Sequence, residues 1–268
     1  MRIAVVLLLA ALSTACAVNP VTGRRQLMLV SEQQAISDSK EAYVAEMTQL
    51  GQKGKLSQDK ALIKRVEAIT GKLVAQAIKF RPETESWEWS VKVIAEPETV
   101  NAFCMAGGRM AMYTGLIEKL DASDDEIAQV MGHEIGHALS NHTAEKMSVA
   151  MATSTGVALL GVAQRDNPLA VSAGAMAAAV AVQLPNSRTA ESEADTIGIE
   201  LAAKAGYDPR AAVTLWKKMA EVSGSSNFDW LSTHPAPGKR QDALAKLVPK
   251  MEPYYRDPAP RPSYTLRN

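Results

Sequence analysis

Five consecutive residues, His133-Glu134-Ile135-Gly136-His137, set two imidazoles and a carboxylate in the order H-E-x-x-H. On a helix, positions i and i+4 share one face a single turn apart, so both rings can grip one zinc ion. The carboxylate beside the first ring, Glu134, can then reach an activated water and act as general base. A catalytic zinc takes three protein ligands and keeps one position open, so a third ligand must come from elsewhere. A metzincin would place it six residues past His137, after a glycine at the third. Ser140 and Thr143 stand at those positions and exclude that class. His142 lies five residues past His137, points to another face, and is expected to solvate the helix end.

The best candidate for the third ligand is Glu191, in the run Ser187-Arg188-Thr189-Ala190-Glu191-Ser192-Glu193-Ala194-Asp195. Glu191 and Asp195 are four apart and share a helical face. One can bind the metal while the other accepts a proton from the distal nitrogen of a ligating histidine, which fixes its tautomer and orientation. The alternative is a surface acid on an alanine-rich helix. Glu193 points the other way and is expected to be solvated.

These side chains need elements to hold them. The H-E-x-x-H helix has a start signal in Ser123-x-x-Glu126, a capping box, with Asp124 and Asp125 at the positive end of the helix dipole. Before it, Trp87 to Val93 alternates apolar and polar residues as a strand does, and Val100–Met105 and Arg109–Tyr113 flank Gly107-Gly108, a two-residue hairpin signal. Two helices precede the strands, one from a Ser31-x-x-Gln34 capping box to about Leu50, one from about Gln58 to Ile78. Helices are also expected from Arg188 to Ala205, Pro209 to Val222 and Lys239 to Lys246. Helical patterns outnumber strands, so the fold class is α+β, mostly α.

Residues 148–163 and 169–184 are apolar, Ala- and Gly-rich stretches around a polar turn at 164–168. Both fall short of the about 20 residues of a spanning helix. They read as a soluble or lid-like hairpin, with a membrane-dipping one as the alternative. The 268 residues suit one domain over 31–252, after an extended lead-in at 16–30 and before a Pro-rich, partly mobile tail at 253–268. Lys+Arg and Asp+Glu both number 29, which leaves no basic footprint for nucleic acid.

Residues 1–15 read as a targeting segment: Arg2, an apolar stretch from Ile3 to Leu12, then small residues up to Cys16. Leu12-Ser13-Thr14-Ala15-Cys16 resembles a bacterial lipoprotein signal, which would lipidate Cys16 and tie the chain to a membrane. Ala17 is not the aspartate of inner-membrane retention, so an outer-membrane anchor would follow. Ordinary cleavage after Ala15-Cys16-Ala17 is the alternative. Cys104, the one other cysteine, is expected to pack in the core.

Taken together, Asn19-Pro20-Val21-Thr22-Gly23, Asn101-Ala102-Phe103, Tyr113-Thr114-Gly115-Leu116, the H-E-x-x-H residues, Glu191-Ser192-Glu193-Ala194-Asp195, and Ser232-Thr233-His234-Pro235 with Arg240 follow one order along the chain. That order resembles the zinc metallopeptidases of the HtpX and CAAX-prenyl-protease type, and among them the short envelope-lipoprotein (LoiP- and BepA-like) type. The resemblance implies a zincin-like (gluzincin) fold and one Zn2+ per chain on His133, His137 and Glu191. It implies that His234 can occupy the open metal position and hold the enzyme latent, and that Arg240 stabilises an oxyanion. It also implies a periplasmic setting in the bacterial envelope and quality control of misfolded envelope proteins. Extended polypeptide substrates would pair with a strand of the sheet, expected to be Arg109–Tyr113. A latent or vestigial peptidase acting as an assembly or chaperone-like factor is the alternative function.

Overall fold

The computed structural model describes residues 16–163, 184–222, 230, 234 and 240–268. The expected turn at 164–168 and second apolar stretch lie almost wholly outside them, as does the targeting segment before Cys16. Eight α-helices and five short strands are found among the described residues. They are β1 Cys16–Val18, β2 Arg25–Leu27, α1 Glu32–Gln52, α2 Lys60–Phe80, β3 Ser90–Ile94, β4 Ala102–Cys104, β5 Arg109–Tyr113, α3 Thr114–Lys119, α4 Asp124–Leu139, α5 His142–Ala163, α6 Leu184–Lys204, α7 Ala211–Val222 and α8 Arg240–Arg256. The architecture is mostly helical with two small sheets, and no helix among the described residues is long and apolar enough to cross a membrane.

The larger sheet has the order β3-β5-β4, with β3 parallel and β4 antiparallel to the central β5. The Trp87–Val93 alternation overreached, because Pro82 starts a 3-10 turn over Pro82–Ser86 and pairing begins only at Ser90. Trp87 and Trp89 pack into the core ahead of the strand, and the Trp89 indole donates to the Thr84 carbonyl. The β4–β5 hairpin forms where expected, but its turn is Met105 to Gly108, with Ala106 and Gly107 at the centre. Both Gly107 (φ 85°) and Gly108 (φ 84°) are left-handed, which only glycine adopts without strain.

Leu73, Met110, Met112, Ile127, Met131, Ile135 and Leu201 form the core between α2, the sheet, α4 and α6. The Ser123 capping box closes α4 from both sides. The Ser31 box is only half made: Ser31 Oγ accepts from the Gln34 amide, while the Gln34 side chain donates to Asp38 instead. Helices α4 and α6 pack with their backbones nearly touching. A Cβ on Gly198 would lie 2.6 Å from the His133 nitrogen, and one on Gly132 would lie 2.7 Å from the Gly198 carbonyl oxygen.

The ends of the domain differ from expectation. The lead-in is a two-stranded hairpin, β1 against β2. Helix α8 runs on to Arg256 through Pro249 and Pro253, so the expected boundary at 252 falls inside a helix. The Pro-rich segment beyond it is extended but tied down: the Tyr264 amide donates to the Gly71 carbonyl at 2.9 Å and that of Arg267 to Trp89 at 2.8 Å. With Lys55 to Ser57, this segment covers the outer side of β3. Strand β5 is central, so it cannot take an added strand. Among the described residues, β4 is the other edge of this sheet, and it packs beside α4.

Candidate metal centre

Helix α4 presents His133 and His137 on one face, as the i, i+4 spacing requires, and α6 brings Glu191 to meet them. His133 Nε2 and His137 Nε2 lie 3.0 Å apart, each 3.4 Å from a Glu191 oxygen. His234 enters the same group, its Nδ1 3.2 Å from Glu191 Oε1 and 3.4 Å from His133 Nε2. Donor atoms of all four lie within 4.8 Å of one another. The chemistry suits a divalent cation: three imidazoles and one carboxylate converge, and two like nitrogens face each other where no single proton satisfies every lone pair. Glu134 Oε1 is buried with no hydrogen-bond partner among the described residues, and His234 Nε2 lies 3.4 Å from it.

The surroundings set the charge states. Burial raises the Glu134 carboxyl above its usual range, against the pull of His234 and His133, which suits a proton acceptor working near neutral pH. Burial raises and the three histidines lower the Glu191 carboxyl, and the histidines win, leaving it well below the carboxylate range. Burial and Arg240 oppose a charge on His133, but Asp195 and Glu191 outweigh them and raise its pKa to about 9. Burial drives His137 well below the ordinary value.

Asp195 Oδ1 lies 3.1 Å from His133 Nδ1, the arrangement its i+4 spacing from Glu191 suggests. The Arg240 guanidinium lies between the α6 carboxylates and a ligand ring. It donates from Nε and Nη2 to both Asp195 oxygens at 2.5 and 2.6 Å, and from Nη1 to Glu191 Oε2 at 2.8 Å. Its face lies 4.1 Å over the Trp216 ring. Arg240 Nη2 also lies 3.0 Å from His133 Nδ1 and 3.1 Å from His133 Nε2, so the guanidinium ties the α6 acids to a ligand ring at the centre.

Two further expectations fail. His142 is buried, not solvating a helix end, because α4 stops at Leu139 and left-handed Asn141 (φ 55°) turns the chain so that α5 starts at His142. Its Nδ1 is 2.8 Å from His137 Nδ1, and its Nε2 is 3.0 Å from Glu193 Oε2. Glu193 is likewise not solvated: burial raises its carboxyl, but His142, Arg24 and Thr22 outweigh that and lower it to about 2. Helical spacing alone hid both residues, His142 because it assumes one continuous helix past His137, and Glu193 because it is blind to the Thr22 and Arg24 side chains that cover it. The signal for His142 was the Ser140-Asn141 pair, a helix-stop followed by a residue that tolerates positive φ. Cys104 is buried, and that burial raises its thiol pKa well above normal. Cys16 is the first residue of β1, 16 to 18, and pairs in register with Leu27.

An H-E-x-x-H helix crossed by a helix bearing a glutamate, beside a small sheet, defines a zincin-like metallopeptidase. The sequence carries the same message. Residues 60–248 match the model of peptidase family M48, and the chain belongs to that metalloprotease family. It is 40% identical over 162 residues to the mitochondrial metalloendopeptidase OMA1 of Arabidopsis thaliana, covering 60% of this chain and 32% of that protein. Identity to the Saccharomyces cerevisiae protein of the same name is 30% over 247 residues, 88% of this chain and 70% of that one. It is 28% identical over 208 residues to the beta-barrel assembly-enhancing protease of Yersinia pestis, 74% of this chain and 41% of that protein. The chain thus spans less than half of the Arabidopsis and Yersinia relatives.

Proposed function

We propose that this chain is a zinc-dependent endopeptidase. The observation that carries the reading is the convergence of His133, His137 and Glu191 with an unpartnered Glu134 oxygen beside them. His133, His137 and Glu191 would hold the ion, with Asp195 orienting His133. A cation there supplies Lewis acidity, which makes water a better nucleophile and a carbonyl a better electrophile. Glu134 Oε1 takes a proton from the attacking water and passes it to the leaving amine. An extended polypeptide adds to β4 at Ala102–Cys104, which imposes geometry while demanding little of its sequence.

His234 supports a latent resting state. It sits among the ligands, where it would take the position a substrate carbonyl needs. The bacterial relative's name, together with the targeting segment and Cys16, favours work on envelope proteins from a lipid anchor on the outer membrane. The alternative, an assembly factor with its peptidase held latent, shares this geometry and differs in whether cleavage occurs at all. Purified native, Glu134→Gln and His234→Ala chains, each loaded with zinc, separate the readings through cleavage of an unfolded protein. The native chain should cleave, Glu134→Gln should lose at least about a hundredfold, and His234→Ala should gain. Equal cleavage by native and Glu134→Gln chains would remove the peptidase assignment.

A further inference from the structure

The turn between β1 and β2 carries the Asn19-Pro20-Val21-Thr22-Gly23 motif, to which the mechanism gives no task. In the fold it lies against the back of the metal centre. Asn19 Oδ1 accepts the amides of Val21 and Thr22 and so shapes the turn, while Asn19 Nδ2 and Gln26 Nε2 both donate to the Ser140 carbonyl, just past the end of α4. Thr22 Oγ1 donates to Glu193 Oε1 at 2.6 Å. Arg24 donates to both Glu193 oxygens at 3.0 and 3.1 Å, and to both Glu145 oxygens at 2.8 and 2.6 Å. Glu193 thus sits between Arg24 and Thr22 on one side and His142 Nε2 on the other.

For neutral rings, the order of donors and acceptors along this chain is set by the carboxylate at its end. A carboxylate can only accept, so His142 donates its Nε2 proton to Glu193. The lone pair of that ring is then at Nδ1, where it accepts the Nδ1 proton of His137 across 2.8 Å. His137 is left with its lone pair at Nε2, the atom facing His133 and Glu191. We propose that Thr22 and Arg24, acting through Glu193 and His142, are positioning residues that hold His137 in its metal-binding tautomer. His133 has its own partner in Asp195 on α6, so the two ligand histidines are oriented from opposite sides, one by the α6 acid and the other by the N-terminal hairpin.

This inference rests on the metal-centre reading, and cobalt(II) tests them separately. The visible absorption of the Co2+-loaded chain reports the ligand field, and competition with a chelator reports affinity, neither of which requires turnover. His142→Phe should weaken Co2+ and Zn2+ binding about 10- to 100-fold and change the Co2+ bands. His142→Asn, whose amide oxygen can still accept from His137, should recover most of the affinity. Arg24→Met changes a half-exposed residue far from the ligands and should weaken binding severalfold. Combined with His142→Phe it should add nothing, because both act through one relay. Unchanged affinity in Arg24→Met and His142→Phe, additive losses, or equal binding by His142→Phe and His142→Asn would overturn the relay. A native chain that binds neither metal would instead overturn the metal centre itself. Should His142→Phe fail to fold, Arg24→Met with His142→Asn decides on the same spectra.

Discussion

At the residue scale, the two ligand histidines are shifted in opposite directions. Against burial and Arg240, Asp195 and Glu191 raise the His133 pKa to about 9, which favours its proton at neutral pH, whereas burial holds His137 well below its usual value. A ligating imidazole must be unprotonated, so a cation must displace that proton. The sign follows: affinity should fall as pH drops below about 9, and at pH 7 each zinc bound should release close to one proton. Calorimetric titration in two buffers of different ionisation enthalpy measures that number, and a value near zero would contradict the charge assignment. The pairs His133/His137 and Glu191/Asp195 were legible because one rule, four residues per shared face, joins the members of each, and Glu134 because it stands beside the first ring in the H-E-x-x-H order. Arg240 was legible as a neighbour of the metal, while its bonds to two carboxylates across the core were not, since they join segments far apart in the chain. His142 was misread because the break at Asn141 redirects it, and Glu193 because the N-terminal hairpin covers it with Thr22 and Arg24.

At the element scale, the centre depends on how closely α4 and α6 approach. Gly198 lets the His133 backbone pass where any Cβ would collide. Gly198→Ala should cost about 1–3 kcal/mol, the range for overpacking, and should lower zinc affinity by moving Glu191 relative to His133. Urea unfolding and chelator competition measure the two effects, and wild-type values in both would show that the crossing yields freely. The N-terminus of α4 makes a second case. Burial raises the Glu126 carboxyl, but Lys218, the Ser123 amide and Thr214 outweigh it and hold it below its usual value. A folded-state pKa below the unfolded one adds stability that is present above the unfolded value and lost as pH falls through the folded one. The melting temperature of Glu126→Gln should therefore lie below native at pH 7 and approach it in acid below the usual carboxylate range, and a constant gap would exclude that linkage. Capping boxes and periodic apolar stripes made the helices readable. Strand ends and sheet order were not, because they depend on which chain segments meet. That is why β5 was taken for an edge when it is the centre.

At the scale of the whole molecule, distant segments complete one another. Residues 264–268 reach back to α2 and β3, and the hairpin near residue 20 braces a helix more than a hundred residues away. Removing residues 257–268 should uncover the outer side of β3. It should lower the melting temperature and create a second pairing edge, read as self-association in sedimentation, since bare strand edges recruit other strands. An unchanged monomer of unchanged stability would show that this covering is incidental. These long-range ties were the least legible part of the sequence, because periodicity reports only on neighbours a few positions apart. They also govern timing. The side chains that shape the centre run from Thr22 to Arg240, so no early fragment of the chain carries a working set. Such far-separated contacts close late in folding. A site built this way is complete only when the chain is nearly whole.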